Sequence, residues 1–232
     1  MRVRVSISTV LGLTAALALA ACSPGDTEVR PADGSSARTN SPADNGRDSG
    51  GVLSSPELAS RLLGESDLGS GYTRKPERYS GSDDVTVLGC PALEELGADA
   101  ATGSGGGLDF PHRAKAAFTY TGNGEVTEEL YSDAAGKLSD GTGRIFDAMT
   151  GCPAYQVLAG STPIDITTQE VPAPRLGDER WSHLLTFSSG GADMVVKQTA
   201  IRDGSVLLIV SGSPALVDRH LDTALAKATA TG

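Results

Sequence analysis

Residues 192–212, ADMVVKQTAIRDGSVLLIVSG, decide the fold class of this chain. Two strand-like runs flank the pair Asp203-Gly204, which is a strong two-residue signal for a β-hairpin. The second run contains Val206-Leu207-Leu208-Ile209-Val210, which is apolar at every position instead of every other one. A strand that is apolar on both faces needs cover on both sides. We therefore expect a central strand at 206–210.

Four more strand-like runs lie between this hairpin and the N-terminus, bounded by clusters of Gly, Asn, Ser and Pro. They are 113–121, 126–131, 164–171 and 180–188. The run 126–131 returns from a turn and carries Glu128 and Glu129, which is typical of a solvent-facing or edge strand. Together the runs predict a twisted antiparallel sheet of about five or six strands.

Helical patterns precede, interrupt and follow these strands. The first helix begins after Ser54, with Pro56 in its first turn and Glu57 at its third position, and it ends at Gly64. The others are predicted at 91–96, at 137–151 and from Pro214 to the C-terminal region. Helices at both ends of an antiparallel sheet indicate an α+β fold, a single domain over residues 55–232.

The first 22 residues have the pattern of a secretion signal. Arg2 and Arg4 precede an apolar stretch of about a dozen residues, which is shorter than the ~20 that a permanent membrane helix needs. The stretch ends in Leu19-Ala20-Ala21-Cys22, which resembles the lipobox of bacterial lipoproteins. We expect residues 1–21 to be removed and Cys22 to carry the lipid; the alternative is an ordinary signal peptide that happens to precede a cysteine.

Residues 22–54 are expected to form a disordered tether behind the lipidated cysteine. The segment is rich in Ser, Gly, Pro, Asp and Asn, and its larger aliphatic residues are few. Such a composition buries too little apolar surface to offset the entropy of ordering the chain. These features predict a protein on the outer face of the cytoplasmic membrane. Its partner there is the membrane itself, which the lipid on Cys22 enters.

Two cysteines remain in the folded part, Cys90 and Cys152. Outside the cytoplasmic membrane a pair of thiols is more often a disulfide than a metal site or a redox site. We expect a disulfide that links the start of the second helix to the end of the third. Two separately buried thiols are the alternative.

Composition excludes several classes of partner. The chain has 19 Lys and Arg against 29 Asp and Glu, a net charge of −10, and 4% of its residues are aromatic. An acidic surface is repelled by nucleic acid and by anionic lipid head groups. Few aromatic residues also mean few surfaces on which bases could stack. We therefore expect no nucleic-acid partner.

No catalytic or metal-binding motif emerges from the sequence. His112, His183 and His220 fall on three different predicted elements, and none has a second histidine at metal spacing. The Gly-rich run 103–107 lacks the Lys and Ser or Thr of a phosphate-binding loop, and no serine has the nucleophile-elbow pattern. We expect no metal, no cofactor and no enzymatic activity. Trp181 and His183, which alternate on one strand face, are candidates for ligand binding, although core packing accounts for both.

Four short features of the sequence resemble those of a known family. A helix begins at Cys90-Pro91, and a later helix ends at Cys152. One strand is preceded by Arg175-Leu176-Gly177-Asp178-Glu179, and a hairpin is formed by Ile201-Arg202-Asp203-Gly204-Ser205-Val206. This order resembles the extracellular sensor domain of PknH-type mycobacterial serine/threonine kinases and its lipoprotein relatives in actinobacteria. The resemblance implies an antiparallel sheet with a cleft for an unidentified ligand and no catalytic role. Members usually have a second disulfide and often a tryptophan before the cysteine of the middle helix, where this chain has Met149.

These observations predict a membrane-anchored, extracytoplasmic lipoprotein with a non-catalytic, ligand-binding or sensor-like domain. One alternative is a cell-envelope lipoprotein that binds another protein through a flat face or its acidic surface. The other is a secreted hydrolase, which the missing nucleophile and metal motifs disfavour. The sequence specifies neither the ligand nor the oligomeric state.

Overall fold

The computed structural model of the chain describes residues 51–76, 85–103, 108–122 and 124–230. The predicted signal peptide, Cys22 and the tether up to residue 50 lie outside the described residues, as do residues 104–107 of the Gly-rich run. Across the described ranges, no helix is both long enough and apolar enough to cross a membrane.

The described residues form one antiparallel sheet of nine strands, in the order β1-β3-β4-β9-β8-β7-β6-β5-β2. The predicted number of five or six strands was therefore too low, although all six predicted runs are strands. The three that the sequence did not indicate are short, β1, β2 and β5. The strands are β1 Tyr72–Arg74, β2 Val85–Leu88, β3 His112–Tyr120, β4 Gly124–Ser132, β5 Ala154–Ala159, β6 Thr162–Glu170, β7 Glu179–Ser189, β8 Ala192–Asp203 and β9 Val206–Gly212.

Helices cover both faces of the antiparallel sheet. One face packs against the first and last helices, and the other against the middle helices. The predicted N-terminal, middle and C-terminal helices are all present, and two short ones are added. The helices are α1 Ser55–Arg61, α2 Glu65–Leu68, α3 Pro91–Leu96, α4 Ala98–Ala101, α5 Ala135–Gly151 and α6 Pro214–Ala228.

Strand β9 is the central strand that its sequence predicts. It lies between β4 and β8, and its residues Val206–Val210 are all buried. Leu207 and Ile209 point to the core under α5, whereas Val206, Leu208 and Val210 point to the core under α1 and α6. The unbroken apolar run follows from this three-layer arrangement, because residues 206–210 are buried in the core on one face of the sheet or the other.

Strand β4 is not the solvent-facing or edge strand that its glutamates indicated. It lies between β3 and β9, and Glu128 and Glu129 are only 1% and 4% exposed. Glu129 binds Lys115 Nζ at 2.6 Å and accepts a hydrogen bond from the Tyr131 hydroxyl at 2.6 Å. Glu128 accepts one from the backbone N–H of Leu63 at 2.6 Å. A cation of the neighbouring strand β3 and a hydroxyl of β4 itself thus satisfy Glu129, whereas Glu128 receives its hydrogen bond from a residue 65 positions away.

The N-terminal helix begins as predicted. The Ser54 N–H and hydroxyl both donate to Glu57 Oε2, at 2.8 and 2.6 Å. Contacts with the domain start somewhat earlier than the predicted boundary at residue 55. The Leu53 N–H donates to Ser132 Oγ at 2.9 Å, and Ser205 Oγ donates to the Gly51 carbonyl at 3.3 Å.

The predicted disulfide between Cys90 and Cys152 is present. Cys90 immediately precedes α3 and Cys152 immediately follows α5, with their Cα atoms 5.9 Å apart. The bond therefore links the start of one helix to the end of the other across 62 residues of sequence.

Candidate ligand-binding cleft

A cleft of about 540 Å³ opens where β6 and β7 separate, beneath the end of α5. The ladder between the two strands ends at Glu170 and His183, followed by a hydrogen bond from the Val171 N–H to the Ser182 carbonyl at 3.0 Å. Beyond that bond the chain leaves β6 through a proline-containing loop and returns at the start of β7. The residues lining the cleft are Phe146, Asp147, Thr150, Glu170, Val171, Pro172, Ala173, Arg180, Trp181, Ser182 and His183.

Three rings form one wall of the cleft. The Phe146 ring of α5 lies 4.4 Å from the His183 ring and 6.0 Å from the Trp181 ring, measured between centroids. Trp181 and His183 share a face of β7, as the alternation of that strand predicted, and both line the cleft. Trp181 is half-buried, so part of its ring is available to a bound molecule.

His183 supports this wall from inside the protein. It is 3% exposed, and its Nε2 lies 3.0 Å from Gln198 Oε1. The Gln198 amide donates from its nitrogen to the Gly103 carbonyl at 2.8 Å, so its oxygen is the acceptor for His183. Burial lowers the pKa of His183 to about 4. The imidazole is therefore neutral at physiological pH, with the proton on Nε2.

Lowering the pH should destabilise the protein through His183. Between about pH 6.5 and 4 the unfolded imidazole binds a proton that the folded one excludes, so stability is lost as the pH falls through this window. The full contribution is about 3 kcal/mol. We expect His183→Gln to remove this part of the pH dependence, measured as the difference in urea-unfolding free energy between variant and wild type at pH 7 and pH 4. A difference that is the same at both pH values would contradict the assignment.

Charged side chains of both signs line the same cleft. Asp147, Glu170 and Arg180 are all exposed. Within the described part of the chain, none of them forms an ion pair or a side-chain hydrogen bond. Two carboxylates and one guanidinium are therefore free to bind groups of a ligand.

The hydroxyl groups of the lining are engaged within the protein. Thr150 Oγ1 donates to the Phe146 carbonyl at 2.8 Å, and Ser182 Oγ lies 2.9 Å from Thr199 Oγ1. Neither lies in a hydrogen-bonded pair with His183, whose Nε2 is bonded to Gln198. Among the described lining residues, no hydroxyl is therefore paired with His183, which is the kind of pair that activates a serine or threonine nucleophile.

The histidines lie on three different elements, as predicted. His112 begins β3, His183 is in β7, and His220 is in α6, where its Nε2 lies 2.6 Å from the Tyr72 hydroxyl. The described residues include no group of three or more His, Cys, Asp or Glu side chains placed to hold a metal ion.

The sequence interpretation missed Phe146 and the charged residues of the cleft. A signal for Phe146 does exist, because it continues the buried stripe Leu138, Thr142 and Met149 of α5 and adds an aromatic ring to it. For Asp147, Glu170 and Arg180 there is no comparable signal, since only the separation of β6 from β7 brings them to one cleft.

The comparisons with known proteins identify a fold. No protein-family model matches the chain, and no curated protein matches it. The solved structure of the extracellular domain of PknH from Mycobacterium tuberculosis matches with a TM-score of 0.55 and 13% identity, over 77% of this chain and 96% of that one. An uncharacterised protein from Mycobacterium smegmatis matches with a TM-score of 0.43 and 14% identity, over 75% of this chain and 97% of that one. The chain is thus similar in fold to the PknH extracellular domain, as the resemblance in its sequence predicted.

Proposed function

We propose that this protein is an extracytoplasmic, lipid-anchored, non-catalytic domain that binds a small ligand in the cleft beneath α5. The observation that carries the proposal is the cleft itself, where the half-buried Trp181 lies beside three charged side chains without partners among the described residues. A volume of about 540 Å³ is within the range of small-molecule sites. The similarity in fold to the PknH extracellular domain supports a location outside the cell membrane.

The lining indicates which chemical features a ligand would have. A ring or other flat group could pack against Trp181, because aromatic faces give large contact areas at little entropic cost. Asp147 and Glu170 would accept hydrogen bonds from an ammonium, amide or hydroxyl group, and Arg180 would bind a carboxylate or phosphate. A small amphoteric molecule is the best complement to this set.

Binding is tested with protein purified from its own membranes. Native mass spectrometry should reveal a bound compound, which is then extracted and added back to ligand-free protein. Trp181 is the single tryptophan of the chain, so its emission reports on the cleft directly. Binding should shift that emission and reduce its quenching by acrylamide. If native spectra show no bound compound and a broad thermal-shift screen finds none, the proposal is wrong.

Neutralising a carboxylate of the cleft should weaken this binding. We expect Asp147→Asn to raise the Kd of the extracted compound about tenfold, the effect of losing one charge-assisted hydrogen bond. The matched control is Asp222→Asn, an exposed aspartate on α6, which covers the other face of the sheet. An equal effect of the two variants would show that general charge, not the cleft, governs affinity.

Anchoring is tested separately through Cys22. Its lipobox predicts a protein that is acylated and sediments with membranes. Cys22→Ala should abolish acylation, measured by mass spectrometry of the N-terminal peptide, and release the domain from the membrane fraction. An unmodified Cys22 in wild-type protein would contradict the anchor without affecting the ligand-binding proposal.

A second candidate function is protein binding at the β7–β8 hairpin. Met194 and Val195 are 58% and 45% exposed at neighbouring positions of β8. The two side chains point to opposite faces of β8, so each offers a separate apolar contact to a partner that binds at the hairpin. Crosslinking in intact cells should recover a reproducible partner that Met194→Ser loses; a partner retained by this variant would place the contact elsewhere.

A further inference from the structure

A buried carboxyl group holds the connection between the first two helices. Glu128 lies on β4 between Ala116 of β3 and Val210 of β9, on the face that packs against α1 and α6. Its Oε2 accepts the hydrogen bond from the Leu63 N–H at 2.6 Å. Leu63 belongs to the residues 62–64 that connect α1 to α2, here named the α1–α2 corner. One hydrogen bond from an inner strand of the sheet thus holds this corner.

The second oxygen of Glu128 is buried without a partner. Oε1 is inaccessible to solvent and has no hydrogen bond to any described residue. A buried polar atom without a partner is rare and costs free energy, the more so when it carries charge. The Glu128 site is therefore suited to a neutral carboxyl group and poorly suited to a carboxylate.

The charged groups around Glu128 do not neutralise it. They are Asp67 from α2, Lys227 from α6 and Arg74 from β1. Lys227 Nζ is paired with Asp67 Oδ2 at 2.5 Å, and the Arg74 guanidinium lies over the Phe118 ring at 5.9 Å. The flanking positions on β3 and β9 are apolar. Burial therefore outweighs the two cations and raises the pKa of Glu128 to about 7.

We propose that Glu128 is a pH-sensitive switch for the α1–α2 corner: the protonated carboxyl keeps the corner closed on the sheet, and ionisation opens it. Ionisation would place a charge among apolar side chains with one N–H as its direct partner. Opening of the corner lets water reach the carboxylate and removes this cost. The switch lies on the opposite face of the sheet from the cleft, so it does not depend on the proposed ligand binding.

The direction and range of the response follow from linkage. Below the ordinary carboxyl pKa of 4.5, Glu128 is protonated whether the corner is open or closed. Between 4.5 and about 7 the open form has lost its proton and the closed form has not, so opening becomes about tenfold more favourable per pH unit. Above about pH 7 both forms are ionised and the response levels off.

The experiment measures amide hydrogen exchange at Leu63 and in α2 at pH 5, 6, 7 and 8. After correction for the intrinsic pH dependence of exchange, the wild-type protein should show more than tenfold faster exchange at pH 7 than at pH 5, with little further change at pH 8. Glu128→Gln should remove the excess. The matched control is Glu129→Gln, the adjacent buried glutamate, which faces the other core and is held by Lys115 and Tyr131; it should retain the excess.

Three results would overturn the switch: no excess exchange in the wild type, persistence of the excess in Glu128→Gln, or its loss in Glu129→Gln. Should Glu128→Gln fail to fold, NMR titration of the Glu128 carboxyl in wild-type protein is compared with amide exchange at Leu63, and the switch requires that the two change over the same pH range. A carboxyl midpoint near 4.5, or a raised midpoint without faster exchange at Leu63, contradicts the switch. Global stability is not the readout, since His183 responds to pH with the opposite sign over an overlapping range.

Discussion

Replacing both Cys90 and Cys152 by alanine should lower the free energy of unfolding by about 4 kcal/mol. The disulfide closes a loop of 62 residues, and on the chain-entropy model its removal frees that loop in the unfolded ensemble. The effect should also reach the cleft. Cys152 directly follows α5, and three residues of that helix, Phe146, Asp147 and Thr150, line the cleft. We therefore expect Trp181 to become more accessible to acrylamide.

The measurement is urea unfolding of the double variant in a Cys22→Ser background, which removes the third thiol. Reductant should bring the oxidised Cys22→Ser parent to the stability of the double variant and leave the variant unchanged. An oxidised parent that is less than about 1 kcal/mol more stable than the variant would argue against a stabilising bond.

Gly212→Ala should be about as destabilising, by roughly 4 kcal/mol, for a reason that lies in the folded state. Gly212 ends β9 with φ at +139°, a conformation that side chains strongly disfavour. A Cβ there would lie 2.1 Å from the Glu125 carbonyl oxygen and 2.9 Å from the Val126 Cα. Both are backbone atoms of β4, and the Ser213 N–H binds that same carbonyl at 2.9 Å, so neither can move aside cheaply.

The matched control for this prediction is Gly143→Ala in α5. A Cβ at Gly143 meets nothing within 4 Å, and alanine is the better helix former by up to about 1 kcal/mol. Chemical denaturation should therefore show Gly143→Ala as neutral or stabilising. If Gly212→Ala unfolds within about 1 kcal/mol of wild type, the chain at the end of β9 does not follow the path described.

Local sequence patterns were sufficient to predict an element when the residues of that element alone indicate its structure. The hairpin around Asp203-Gly204 and the buried run 206–210 were both predicted. A two-residue turn and a run of apolar residues are each recognisable within a few neighbouring residues. The serine cap of α1 was visible for the same reason. The disulfide was predictable from cysteine count and compartment.

The same reasoning failed where an element is short or its polarity misleads. Strands β1 and β2 have three and four residues, too few to show alternation. The glutamates of strand β4 predict a solvent-facing or edge strand, which is wrong because both are buried. Their partners, Leu63 for Glu128 and Lys115 for Glu129, are supplied by other elements.

The sequence likewise predicted one part of the cleft and not the rest. Trp181 and His183 could be placed on one face of β7 from alternation alone. Their role as a wall of the cleft depends on Phe146, which comes from α5 and packs against the His183 ring. The charged side chains that surround them come from α5, the end of β6 and the start of β7. No sequence spacing links these three places.

The amino-acid sequence by itself determined the α+β class, the central strand, the cysteine pair and the expectation of an anchored domain. These features depend on turns, periodicity and composition, which act over neighbouring residues. Only the tertiary structure decided the strand order, the cleft between β6 and β7, and the burial of Glu128 beside Leu63. The reason is physical: the free energy of a buried charge or of an aromatic wall depends on which groups surround it, and those groups are brought together only when the sheet forms.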